Sequence, residues 1–287
     1  MMAIPMAFFL IFKYWPMFGL LISFQNYRAG APFIGEDVRW VGLRWFQQFF
    51  AYPFAGRLIS NTVLLSIYSI VFIFPLAIFL ALMLNEIRRP KLRKFTTTLS
   101  FLPYFISITV IVGMLTNFLN INDGIVNQLI AALGGTPKDF MGISKYFRTL
   151  YVLSGAWQNV GFEAIVFTAA IAGIDPGLYE AAYVDGSNRV KNIFLITLPC
   201  ILPTVIIMLI LKVGSIMSVG YEKVILMYSE RIYETSDILS TYSYRNGIID
   251  GKWSYSTAIS MFNSMVNLIL VWVTNLIARK TGETSLW

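Results

Sequence analysis

Apolar positions in this chain come in long unbroken runs, separated by shorter polar connectors. Six such runs are read: Ile4 to Phe24, Leu58 to Leu84, Leu99 to Leu119, Leu150 to Ile171, Ile201 to Val219 and Ala258 to Ile277. Each approaches or exceeds the roughly 20 residues with which a helix crosses about 30 Å of hydrocarbon. The polar/apolar alternation of a membrane β-barrel is absent from them. The expected fold is an all-α integral membrane protein with six transmembrane helices. Pro75 falls inside the second run, where a kink is expected rather than a break, since neighbours in a membrane bundle re-satisfy the freed carbonyl.

Charge between the runs orients them. Arg88-Arg89-Pro90-Lys91-Leu92-Arg93-Lys94 holds five basic residues in seven positions, which marks a cytoplasmic loop. Both termini then lie inside, and Arg279-Lys280 after the last run agrees. The loops 25–57, 121–149 and 221–257 face outward. They carry interfacial aromatics, among them Trp40, Trp45, Tyr221, Tyr228, Tyr233, Tyr242, Tyr244 and Trp253. The chain divides on this reading into residues 1–57, the first helix with its outer loop, and residues 58–287, a five-helix core. The first apolar run starts almost at Met1 with no basic stretch or cleavage site before it, so it is not read as a signal peptide. A trimmed cytoplasmic tail is expected there instead.

Composition narrows the chemistry. Apolar residues make up 57% of the 287 and charged residues only 13%, about half the share usual in soluble domains. The net charge of +7 is placed by the cytoplasmic loops, so no nucleic-acid partner is inferred. Histidine is absent and Cys200 is the single cysteine, which removes the commonest general base and any disulfide framework. A phosphate-cradling loop needs Gly-x-x-x-x-Gly-Lys-[Ser/Thr]; Gly134-Gly135-Thr136-Pro137-Lys138 lacks that spacing. No metal cluster or nucleophile elbow is present either. The chain is read as a transport component and not an enzyme, binding no cofactor of its own.

The connector 174–200 between the fourth and fifth runs is the most specific segment. Asp175 is a good N-cap and Pro176 a good first helical residue. Asp185-Gly186 ends that helix, with Gly186 supplying a left-handed terminus. Ser187 or Asn188 caps a second helix, which Pro199 is expected to separate from the fifth span. Leu178, Ala181 and Ala182 form a small apolar face with Glu180 beside it. Such a face suits a groove on another protein, or equally a connector resting on the bilayer.

Glu180, Ala181, Ala182, Gly186, Ile196, Leu198 and Pro199 match the pattern Glu-Ala-Ala, three residues, Gly, nine residues, Ile-x-Leu-Pro. By this motif the chain resembles the EAA-motif permeases of binding-protein-dependent ABC importers. Further matching segments are Lys13-Tyr14-Trp15-Pro16-Met17-Phe18-Gly19, Trp40-Val41-Gly42-Leu43, Asp123-Gly124-Ile125-Val126-Asn127 and Ala172-Gly173-Ile174-Asp175-Pro176. They resemble the branch that takes up complex oligosaccharides, including uronate-rich ones. The resemblance implies a type I importer permease fold in a bacterial inner membrane and alternating access. It also implies a coupling helix in which Leu178, Glu180, Ala181, Ala182, Asp185 and Gly186 meet an ATPase. Implied partners are a second permease, an ATPase dimer holding ATP and Mg, an extracytoplasmic solute-binding protein and the oligosaccharide.

Polar residues within the apolar runs are candidate substrate contacts, because polar side chains in spans face a cavity or another helix. Trp157 stacks on a sugar face while Gln158 and Asn159 exchange hydrogen bonds with hydroxyls; the alternative is interfacial anchoring and helix–helix bonding. Lys212, read near the middle of the fifth span with Ser215 and Ser218, needs a partner, since a lysine at mid-bilayer costs about 2.5–3.5 kcal/mol. Glu163 and a sugar carboxylate are the two candidates. Asn263, Ser264 and Asn267 are further pore-lining or inter-subunit candidates in the sixth span.

Overall fold

A chain in hydrocarbon must pair each backbone N–H and C=O internally, which a helix does within its own segment. The computed structural model describes residues 2–36 and 38–280, so the end of the expected five-helix core, 281–287, lies outside the described residues. In order along the chain are α1 (Ile4–Phe24), α2 (Arg44–Phe50), α3 (Ala55–Asn85), α4 (Pro90–Phe105), α5 (Ile108–Phe118) and α6 (Ile125–Ala132). After them come α7 (Ser144–Ala172), α8 (Pro176–Val184), α9 (Arg189–Gly214), α10 (Tyr221–Met227), α11 (Leu239–Tyr244) and α12 (Trp253–Lys280). Among the described residues no strand forms beyond an isolated bridge between Gln25 and Trp40.

By length and composition α1, α3, α9 and α12 each suffice to cross a membrane, and counting each of the bent pairs α4–α5 and α7–α8 as one span gives up to six. The expected fold class holds, and α3 runs unbroken through Pro75.

Three boundaries differ from the sequence reading. The third span, expected as one helix over Leu99 to Leu119, is broken at Ile106–Ser107, and its halves meet at 93°. Pro103 lies in a tight 3-10 turn before the break, and the Ser107 hydroxyl caps α5 by accepting from Val110 N–H (3.4 Å). Pro199 does not separate the short second helix from the fifth span. A π-turn over Ile193–Thr197 lies just ahead of that proline, and an i→i+5 register is one way a helix absorbs a local irregularity. The fifth span also ends at Gly214 and not at Val219, which places Lys212 in its last turn.

The core forms where small side chains let helices close up, the usual packing device between membrane helices. Ala77 and Ala81 of α3 pack with Ala164, Phe167 and Ile171 of α7 and Ile201 of α9, and Phe74 meets Phe167 edge-on at 5.5 Å. At Gly161 of α7 an added Cβ would collide with the Ser100 carbonyl of α4, so α4 and α7 touch backbone to backbone. The second half of α1 rests on α12.

Side-chain links sort the connectors into two ends. Arg189 approaches Glu86 (3.9 Å) and Arg93 donates to Asn85 Oδ1 (3.3 Å), so the basic segment 88–94 and the α8–α9 hairpin share one end. At the other end Trp45 donates to Gln25 O (2.8 Å), Tyr27 N–H to Ser254 Oγ (2.9 Å) and Thr235 Oγ1 to Ser144 O (2.8 Å). The charge pattern predicts the same partition.

Candidate functional sites

The α8–α9 hairpin keeps its shape through its own caps. Asp175 Oδ1 accepts from Gly177 N–H (2.9 Å). At the other end Gly186, at φ +76°, closes a Schellman motif: Ser187 N–H donates to Ala182 O (2.9 Å) and Gly186 N–H to Tyr183 O (3.1 Å). Both orphan carbonyls are thereby satisfied, in a conformation that glycine adopts without strain. Of the two candidate caps for the next turn Asn188 is the one used, accepting from Lys191 N–H (2.9 Å). The caps reach their partners without help from distant chain, which is why they can be read from sequence.

One face of α8 turns inward. The Tyr179 hydroxyl meets Thr197 Oγ1 (2.9 Å), and Ala182 is half-buried. The predicted apolar trio is thus divided, because Leu178 and Ala181 are exposed alongside Glu180, Asp185 and Gly186. Val184, at the tip, is 89% exposed. Tyr179, which anchors the helix, was missed by the sequence reading; its signal was a tyrosine three residues after Pro176, one turn from Ala182.

The candidate substrate residues occupy three places. Lys212 forms an ion pair with Glu163, joining α9 to α7, and its place in the last turn of α9 also suits a cation at a helix C-terminus. Asn159, one turn before Glu163, donates to Gly155 O (2.9 Å) within its own helix. A cavity of about 150 Å³ opens beside Lys212, with Ser66, Ser69, Ser215 and Ser218 on its polar side and Ile70, Ile73 and Phe74 among its apolar lining. Gln158 lies elsewhere: it is buried and donates to Ile106 O (3.1 Å), satisfying the carbonyl freed where the third span breaks. Trp157 is 51% exposed on a different face of α7. Asn263 borders a second cavity, between α10, α11 and α12. Asn267 ties the 215–218 turn to α12, accepting from Met217 N–H (2.9 Å) and donating to Ser218 Oγ (2.7 Å).

Two basic residues in the far connectors are tied into the structure. Arg245 makes a two-pronged bond to Asp237 (2.7 and 2.9 Å) within a box of Tyr228, Tyr233 and Tyr242 rings. Lys223 is buried; its ammonium lies 4.8 Å from the centre of the Tyr151 ring and donates to Tyr151 O (3.1 Å). Burial pushes Lys223 down to about 8. No group of three or more acidic, cysteine or histidine residues suited to a metal occurs among the described residues.

Six spans and a capped hairpin bearing the Glu-Ala-Ala pattern define the class of an importer permease. Residues 73–283 match the family described as binding-protein-dependent transport system inner membrane component, and the chain belongs to that family. The chain is 39% identical over 280 residues to the polygalacturonan/rhamnogalacturonan transport system permease protein YteP of Bacillus subtilis (strain 168), covering 98% of this chain and 87% of that protein. To the protein LplB of the same organism it is 38% identical over 283 residues, covering 98% and 88%. Among solved structures, a chain of a bacterial alginate ABC transporter, in complex with alginate pentasaccharide-bound periplasmic protein, superposes with a TM-score of 0.89. It is 39% identical, with 99% of this chain and 95% of that one covered.

Proposed function

We propose that this chain forms half of the translocation pathway of an ATP-driven importer for an oligosaccharide, acidic in character, and couples to a separate ATPase through α8. The observation that carries the coupling role is that α8 is locked by caps at both ends while Leu178, Glu180 and Ala181 are exposed. A connector that transmits force must be stiff along its length and bind by shape. On this reading the end bearing 88–94 is cytoplasmic, both termini lie there, and ATP and Mg are held by the ATPase dimer. A second permease supplies the other half of the pathway, and a solute-binding protein docks at the opposite end. Nucleotide-driven closure of the ATPase dimer moves α8, and through Tyr179 and Thr197 the base of α9, so that the pathway alternates between its two openings.

An acidic cargo is supported by the relatives named for polygalacturonan/rhamnogalacturonan and alginate. The Glu163–Lys212 pair with Asn159 and the serine-bearing cavity is the contact region in this proposal, and Trp157, exposed on another face of α7, is an aromatic platform apart from it. Lys212→Met separates two roles. Loss of acidic but not neutral oligosaccharide uptake supports a ligand contact; loss of the assembled complex supports a structural pair alone.

The coupling role is tested by Gly186→Val and Glu180→Lys in the full complex. A β-branched residue at φ +76° deforms the end of α8, since the left-handed region costs such a side chain about 1–2 kcal/mol or more. Both variants are expected to insert in the membrane yet lose ATPase co-purification and uptake. Uptake at the wild-type rate by Gly186→Val would overturn the docking role.

A further inference from the structure

The cavity bounded by α10, α11 and α12 shares no lining residue with the one beside Lys212. A common wall separates them, residues 215–221, to which Ser240 Oγ donates at Val219 O (3.5 Å). Its volume is about 290 Å³, at the lower bound of cavities that take small ligands, about 300–1,000 Å³. That is room for a sugar ring and not for a folded chain.

Its lining is neutral throughout, with no charged side chain facing in. Tyr221 and Tyr244 stand at its edge as a stacked pair, ring centres 5.9 Å apart and planes 29° from parallel; both rings remain partly exposed. The polar wall is a hydroxyl cluster in which Ser243 Oγ meets Ser256 Oγ (2.8 Å) and Ser260 Oγ (2.9 Å). Each hydroxyl has one donor and two acceptor lone pairs, so the cluster keeps acceptor capacity for an incoming O–H. Asn263 adds an unmet demand: its Oδ1 is buried and finds no donor among the described residues. A buried acceptor left unpaired carries a desolvation penalty that a ligand hydroxyl removes. Buried Leu239 and Ile259 complete the apolar part of the lining.

An aromatic edge, an apolar wall and a neutral hydroxyl-and-amide wall fit one ligand chemistry, a pyranose ring with a C–H face and outward hydroxyls. An acyl chain would leave Asn263 unmet, and an anion would find no cation. We propose that this cavity is a second sugar-ring subsite, at the end where the outer connectors gather, which holds one ring by its hydroxyls ahead of the charge-bearing cavity beside Lys212. This deepens the reading of the chain as an oligosaccharide permease and rests on it. The division of labour is specific: the outer cavity reads ring shape and hydroxyls, the inner one charge.

The test uses the assembled transporter in proteoliposomes, with Cys200→Ser to clear the background thiol and Ser260→Cys as the reporter. Thiol labelling of that cysteine is timed with and without tri-galacturonate or cellotriose, and uptake of the same sugars is measured for Asn263→Leu and Tyr244→Ala at matched ATPase content. Both sugars are expected to slow labelling. Each of the two variants is expected to weaken protection and raise the half-saturating sugar concentration about three- to tenfold, the range of one lost hydrogen bond or stacking contact. Unslowed labelling together with wild-type uptake by both variants overturns the subsite while oligosaccharide transport stands. If the wild-type complex takes up neither sugar, it is the transport reading that fails for them. The cavity is then judged on protection alone: protection supports it, and its absence overturns it.

Discussion

At the end that carries the basic segment, the α8–α9 hairpin is held by bonds between near neighbours, from Gly177 to Asp175 and from Ser187 to Ala182. At the opposite end the bonds reach across the chain: Asn61 donates to Asp237 O (3.0 Å), Leu239 N–H to Thr62 Oγ1 (3.0 Å), and Arg148 to Asn61 Oδ1 (2.8 Å). The hairpin leaves Leu178, Glu180 and Ala181 exposed. The far end turns one charge pair inward, Arg245 and Asp237, inside a tyrosine box. On the proposed reading, the difference separates an element to be gripped by a partner from one that stays in place. In a protein proposed to transmit motion from an ATPase to a sugar pathway, the first is the handle and the second part of the frame.

The largest expected effect lies in the frame. Arg245→Met strands the Asp237 carboxylate, 5% exposed, and should lower stability by about 3–5 kcal/mol, as for other broken buried ion pairs. Thermal unfolding in detergent reads this, and adding Asp237→Leu should recover much of it; a loss no larger than that of a helix cap would erase the contrast between the two ends. Next comes Gly161→Val, which drives a side chain into the α4 backbone. Overpacking of this kind costs about 1–3 kcal/mol and should show as reduced yield of folded complex. Asp175→Ala removes only a local cap, worth about 1 kcal/mol. It is expected to leave the melting temperature nearly unchanged while weakening ATPase co-purification, which separates handle from frame.

The last prediction is a pH dependence. Burial lowers Lys223 from 10.5 to about 8, so its charged form opposes folding. Below the folded value the penalty is fully present, and it fades as pH rises from about 8 toward 10.5, because the unfolded state then binds more protons than the folded one. The stability gap between Lys223→Met and wild type should therefore narrow over that interval. Parallel melting curves across it would show that the ammonium is not desolvated.

Much of this molecule can be read from its residues in order. Span number, the grouping of connectors at two ends, and the capped α8 each depend on the composition of a window or on a bond closed within a few residues, and those are properties of neighbours in the chain. Glu163 and Lys212 were legible as a possible pair because two charges in apolar runs demand partners. Pro103 and the Ser107 cap mark the break at Ile106–Ser107 locally, but packing decided that Gln158, 52 positions away, satisfies the Ile106 carbonyl. It also left Asn263 facing a neutral cavity apart from Lys212. Those outcomes turn on which helix faces meet, as when Thr62 and Leu239 join across 177 positions, and no local pattern specifies such a meeting.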